Sequence, residues 1–173
     1  MKLFGLAGWS GSGKTTLLTA LLPALIHRGL RVSTLKHVHH SVDLDQSGRD
    51  THRHRLAGAT EVALVSASRW TLMHELRGEA EPTPAELSRH MTPVDLVLIE
   101  GYKHGAHDKL EVHRPAIGKP LLCRDDPHIV AVASDEMLTD LPVPLLRLDD
   151  AATIAAFIIR RCGLRGSPVP EAQ

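Results

Sequence analysis

Apolar positions along this chain come mostly in short unbroken runs. Lys2 to Ala7, Arg31 to Lys36, Glu61 to Ser66, Val94 to Glu100 and Ile129 to Ala133 each read as a strand, several of them buried. Lys109 to Arg114 alternates polar with apolar residues, as a strand also does, and Leu145 to Leu148 makes a last short one. Arg69 to His74 is placed to pair with Glu61 to Ser66 as a hairpin across Ser66, Ala67 and Ser68. Helical patterning occupies Thr16 to Ile26, stopped by Gly29, and Ala151 to Cys162, stopped by Gly163. In the second of these, Asp149 or Asp150 is the N-cap, and Ile154, Phe157, Ile158 and Ile159 form the core face. Pro23 predicts a kink or a break in the first helix. Pro84 to His90 is a short helix with Thr83 as its cap, Pro84 at its first position and Glu86 as the partner carboxylate. The opening strand, helix and strand make a βαβ unit, so the first two strands belong to one parallel sheet.

Between the first strand and the first helix stands Gly8-Trp-Ser-Gly-Ser-Gly-Lys-Thr15, which meets every fixed position of the phosphate-loop pattern G-x-x-x-x-G-K-[ST]. Gly8, Gly11 and Gly13 allow backbone conformations that a Cβ would block, so successive amides, with those of Ser10 and Ser12, can converge on an oxyanion. The following helix adds the positive end of its dipole. Lys14 is expected to reach the β- and γ-phosphates, Thr15 to offer its hydroxyl to Mg²⁺, and Thr16 to support the α-phosphate. This setting predicts an α/β chain of the P-loop NTPase type: three layers, a largely parallel central sheet and helices on both faces. One nucleotide-binding domain is expected over residues 1–162, with a loose tail over 163–173.

Val94 to Gly101 is the second informative stretch. A buried strand there would deliver Glu100 to the mouth of the phosphate site, close to Mg²⁺, with the Gly101 amide near the γ-phosphate and Asp95 at the opposite end. Lys14, Asp45 and Glu100 are the candidate catalytic residues, and Thr15 and Glu100 the candidate magnesium ligands. Asp43 or Asp45 would hold magnesium through water or orient an attacking water, and Arg49, Arg53 and Arg55 would bind a further anion. The histidines His37, His39, His40, His52 and His54 raise a zinc reading. Their spacing matches neither H-E-x-x-H nor a Cys/His framework, so solvated or phosphate-facing roles are favoured. Asp135, at a strand end, is placed to touch a base or ribose, but no Asn-Lys-x-Asp motif identifies the base.

Bulk properties narrow the partners. Lysine plus arginine balance aspartate plus glutamate at 20 each, which gives no support to nucleic-acid binding driven by net basicity. Aromatic residues make up 3%, too few for base-stacking platforms. No apolar run is long enough to span a membrane. A strand beginning almost at Met1 leaves no room for a signal peptide, and the two distant cysteines, Cys123 and Cys162, suit a reduced cytoplasmic setting.

Gly8 to Thr16, the run from Lys36-His-Val-His-His40 through Asp50-Thr-His-Arg-His-Arg55 to Ala57-Gly-Ala59, and Asp95-Leu-Val-Leu-Ile-Glu-Gly-Tyr-Lys103 together resemble the molybdopterin-guanine dinucleotide biosynthesis protein B (MobB) family. Lys109-Leu-Glu-Val-His-Arg114 is a fourth match. The resemblance implies a GTP-binding protein with at most slow hydrolysis, working beside the guanylyltransferase that attaches GMP to molybdopterin. It further implies a homodimer, molybdopterin as a further ligand, phosphates held by Gly11 to Thr16, and Glu100 and Gly101 lining the nucleotide site. Thr51 stands where serine is usual, and His52 and His54 exceed the pattern. Two other readings use the same loop. One is a small-molecule kinase, with Arg49, Arg53 and Arg55 clamping transferred charge. The other is a dimeric binding module whose shape the nucleotide fixes.

Overall fold

The computed structural model describes residues 1–38 and 45–166. In chain order the elements are β1 (Lys2–Ala7), α1 (Lys14–Ile26), β2 (Val32–Lys36), α2 (Asp50–Leu56), β3 (Glu61–Val65), β4 (Trp70–His74), α3 (Pro84–Arg89), β5 (Leu96–Glu100), β6 (Lys109–His113), β7 (Ile129–Ser134), β8 (Leu145–Arg147) and α4 (Ala151–Arg161). They fall into two compact units, one of Met1–His37 with the chain from Thr83 onward, the other of Val38–Pro82.

The first unit is built on a six-stranded sheet in the order β2-β5-β1-β6-β7-β8, parallel throughout. The expected βαβ unit is present, with β5 inserted between its two strands, so that Leu6 pairs with Glu100 and Lys36 pairs with the same residue from the other side. On one face Phe4, Leu6, Leu96, Leu98, Leu110 and Val112 meet Leu17, Leu21 and Leu25 of α1 and Ile154 and Ile158 of α4. Each such side chain withdrawn from water is worth about 2 kcal/mol. On the other face Cys123, Ile129 and Val132 gather Leu121, Leu122 and Val143.

Helix α1 runs through Pro23 without a break. Three glycines carry its ends: Gly11 and Gly13 before it, at φ +81° and +95°, and Gly29 after it, at +79°. Beyond Gly29 the Leu30 amide reaches back to the Leu25 carbonyl and closes the last turn. The capping box of α3 forms as its residues predict, with Thr83 and Glu86 each accepting from the other's backbone amide. Asp150, not Asp149, caps α4 by accepting from the Thr153 amide at 2.9 Å. Asp149 is engaged by Arg147 instead.

Alternation in β6 does not mean a half-exposed strand, for all five of its residues are buried. Its polar side chains are satisfied inside. Lys109, with no exposed surface, pairs with Asp126 at 2.6 Å, and Glu111 accepts from the amides of Leu122 and Cys123. Gly5 leaves the room these residues need, since a Cβ there would lie 2.6 Å from both His107 and Lys109.

The second unit contains α2 and the antiparallel pair β3–β4, with Val65 opposite Trp70 and Glu61 opposite His74. Val62 is buried, whereas Val65, Trp70 and Leu72 stand exposed on the other face of the pair. Within this unit Arg55 pairs with Glu75 at 2.8 Å, and Arg77 donates to the carbonyls of Arg55 and Ala59. Among the described residues no helix is long and apolar enough to cross a membrane.

Candidate nucleotide site

The site is assembled where β1, β5 and β2 end side by side. Gly8 leaves β1 at φ +144°, and a Cβ on it would sit 2.4 Å from the Val112 carbonyl oxygen. Only glycine lets the loop turn that close to β6. The Ser12 hydroxyl is buried beneath the loop and has no hydrogen-bond partner among the described residues. Helix α1 begins at Lys14 directly after the loop, with no side-chain cap among the described residues, the setting in which a helix N-terminus can receive a phosphate.

Lys14 folds back over the loop and donates to the carbonyls of Gly8 and Trp9 at 2.9 and 2.8 Å. Burial is the main reason its ammonium holds a proton less tightly than usual. Glu100 opposes this, and Lys36 and Lys103 reinforce it. Thr15 donates its hydroxyl to Glu100 at 2.6 Å, and Lys36 faces the same carboxylate oxygen at 3.5 Å. A hydroxyl and a carboxylate side by side form a hard oxygen donor set, which fits Mg²⁺. A polyphosphate fits the surplus charge, with Lys14 and Lys36 near one carboxylate.

The turn after β5 is held open by conformation. Gly101 has φ +97° and lies so close to His37 that a Cβ would fall 2.8 Å from that residue's Cβ. Tyr102 follows at φ +47°, its ring 4.4 Å from the His37 ring. On the opposite flank, Arg114 donates to the Ser12 carbonyl at 3.2 Å and also pairs with Asp135. Next to Asp135 the ends of β7 and β8 form a cleft of about 310 Å³ bounded by Glu136, Met137, Leu146 and Arg147.

The structure thus gathers Gly8, Ser10, Gly11, Ser12, Gly13, Lys14, Thr15, Thr16, Glu100 and Gly101 at one end of the sheet. Asp45 belongs to the second unit, where it accepts from the Thr51 hydroxyl at 2.7 Å and faces Arg55 at 3.7 Å. Arg53 faces Asp50 and Arg49 donates to Gln46, so these arginines also serve their own unit. His39, His40 and Asp43 lie outside the described residues. Lys36, Lys103 and Arg114 stand in stretches that resemble the family, but the sequence assigns them no role, since single basic residues carry no motif of their own.

A family model described as molybdopterin guanine dinucleotide synthesis protein B, MobB, matches residues 3–135. The chain belongs to the MobB family. A molybdopterin-guanine dinucleotide biosynthesis adapter protein of Escherichia coli K12 is 41% identical over 160 residues, spanning 91% of each chain. The protein of that name from Haemophilus influenzae is 40% identical over 161 residues, 90% of this chain and 86% of the other. Among solved structures, a crystal structure of a MobB protein superposes with a TM-score of 0.71 at 26% identity, covering 92% of this chain and 99% of that one. Bacillus subtilis MobB superposes with a TM-score of 0.69 at 22% identity over 94% of this chain and 98% of its own, which shows the fold. The predicted fold class, a P-loop α/β chain on a mostly parallel sheet, holds for the MobB family and for this member.

Proposed function

We propose that this MobB-family chain is a GTP-binding adapter in the assembly of molybdopterin guanine dinucleotide. The accessory role follows the relatives' names, and the nucleotide reading follows the site. The observation that carries the latter is the closure of the phosphate loop by Thr15 on Glu100. Amides of the loop and Lys14 would hold the phosphates, with Thr15 and Glu100 holding Mg²⁺, which would neutralise and orient them. Glu100 is already committed to Thr15 and Lys36, so it serves as a metal holder rather than a base for water, and hydrolysis is slow. Asp45 is read as an organiser of the second unit.

Guanine is favoured by the cleft beside β7. Asp135 and Glu136 bring carboxylates to it, and guanine's ring N–H and exocyclic amine are adjacent donors that a carboxylate can accept together, a pair adenine lacks. The protein acts in the cytoplasm with the guanylyltransferase as partner, and molybdopterin is its second small-molecule contact. A homodimer is supported by the bare apolar face of β3–β4, because an isolated two-stranded sheet is marginal in water. Calorimetry with GTP and ATP in the presence of Mg²⁺ tests the reading. GTP should bind tighter by roughly tenfold or more, and equal or ATP-favoured binding would refute it.

A further inference from the structure

Lys103 is the residue the nucleotide reading leaves unexplained. Its ammonium lies 3.4 Å from the centroid of the Trp9 indole, and Trp9 is itself part of the phosphate loop. The backbone that presents Lys103 is fixed on both sides. Before it, Gly101 and Tyr102 take left-handed conformations, with the Tyr102 ring against His37. Strained conformations of this kind persist only where their surroundings enforce them. After it, the buried ammonium of Lys109 holds the carbonyls of Lys103 and Gly105 at 3.0 and 2.7 Å, and Lys109 is anchored in turn by Asp126. Trp9 is pinned as well, donating from its indole nitrogen to the Pro120 carbonyl at 2.8 Å. What remains adjustable is the Lys103 side chain, laid on an aromatic face that it can leave at little cost.

Sheet order says which end of a nucleotide that side chain meets. The phosphate loop follows β1. The cleft suited to a base lies at β7 and β8, on one side of β1, while β5 and β2 lie on the other. A nucleotide with its base at that cleft and its phosphates over the loop therefore directs its terminal phosphate toward β5. Glu100, Gly101 and Lys103 leave β5 at that point, and Lys36 leaves β2 beside them.

We propose that Lys103 senses the third phosphate: its ammonium moves from the Trp9 indole to the γ-phosphate of a bound nucleoside triphosphate and makes no such contact with a diphosphate. Lys14 donates to the Trp9 carbonyl and Lys103 lies on the Trp9 ring, so both cations gain when a polyphosphate comes between them. A loop that reads the third phosphate gives an adapter two surfaces, one with Lys103 on Trp9 and one with it withdrawn.

This inference rests on the nucleotide reading, and one experiment separates the two. Trp9 and Trp70 are the two tryptophans of the chain, so a Trp70→Phe background makes Trp9 the only indole reporter. In that background, GDP and a β,γ-imido analogue of GTP are titrated with Mg²⁺ by calorimetry and by tryptophan emission. The analogue should change Trp9 emission and GDP should not. Lys103→Ala should abolish that difference and weaken the analogue about tenfold, the worth of one charge-assisted hydrogen bond, with GDP unchanged. Lys103→Arg should restore the preference. If Lys103→Ala weakens both nucleotides alike, or neither, the sensor is refuted and the nucleotide reading stands. If the parent protein binds neither nucleotide, both fall.

Discussion

Thr15 and Glu100 join two segments far apart in sequence, the phosphate loop and the end of β5, through a hydrogen bond of 2.6 Å. A hydroxyl that donates to a carboxylate keeps its lone pairs free, and the carboxylate keeps a second oxygen, so the pair can admit a divalent cation without rebuilding the loop. Glu100→Gln preserves shape and an acceptor for Thr15 but removes the charge. The variant should lose most of the Mg²⁺-dependent gain in nucleotide affinity, roughly tenfold or about 1.4 kcal/mol. In the absence of magnesium it should bind the nucleotide at least as well as the parent, because Lys14 and Lys36 would then face the phosphates with no competing carboxylate. Calorimetry with Mg²⁺ and with EDTA reads both effects.

Lys14 gives a pH signature. Its folded-state pKa is depressed, chiefly by burial, against an ordinary value of 10.5. The fold therefore carries a penalty for the charged lysine that is fully present at neutral pH and is relieved as pH rises through the lowered value. Phosphate oxygens on the ammonium reverse the shift, so binding takes up protons, more of them as the solution becomes alkaline. Calorimetry in two buffers of different ionisation enthalpy measures that uptake. Lys14→Met should remove it and weaken triphosphate binding by about a hundredfold or more, as expected when a charged phosphate ligand is lost.

Lys109 and Asp126 make the costliest polar pair in the sheet unit, because the lysine has no exposed surface while the aspartate retains some. Asp126→Ala strands a buried ammonium and should cost about 3–5 kcal/mol of unfolding free energy. Lys109→Met keeps the stem and leaves the partly solvated aspartate, so it should cost less, about 1–3 kcal/mol. Burial alone would raise the Asp126 pKa, but bonds from Lys109 and from the His128 amide hold it below its ordinary 3.8. The contribution of Asp126 is therefore fully present above that value and fades as pH falls through the lowered one. Urea titrations of the two variants and their double at pH 7, and of the parent from pH 5 to pH 3, test the asymmetry and the acid loss.

How far the residues spoke for themselves depended on whether their meaning was local. The phosphate loop, the capping box at Thr83 and Glu86, a cap at Asp149 or Asp150 and the hairpin from Glu61 to His74 were legible because each is decided within a few residues. The acid ending β5 was legible because a buried strand has one mouth. In β6 the alternation marks a strand but not its depth: Lys109 and Glu111 are buried, since the segment from Leu121 to Asp126 brings them partners. Pro23 suggests a kink or a break, but α1 remains continuous because Leu17, Leu21 and Leu25 bury one of its sides against the sheet. Lys36, Lys103 and Arg114 acquire their meaning only from neighbours across strands, which no spacing along the chain encodes.

The hairpin of the second unit leads to the last expectation. Cross-strand partners share a face, so Ala63, Val65, Trp70 and Leu72 lie together on one side, ending at the Glu61–His74 pair. Val65 and Trp70 are 72% and 65% exposed, although such residues contribute most when covered. On the opposite face Val62 is buried, whereas the Val65–Trp70 side carries the larger exposed apolar surface and awaits a partner outside the unit. A second copy supplies the same apolar surface in a self-complementary arrangement, as a two-fold dimer requires. Val65→Lys with Trp70→Glu should shift the protein from dimer to monomer in sedimentation equilibrium. It should leave affinity for GTP within about twofold, because the site residues named for the nucleotide lie in the other unit. A parent protein that sediments as a monomer, or a double variant that stays dimeric, would assign this face to a different partner.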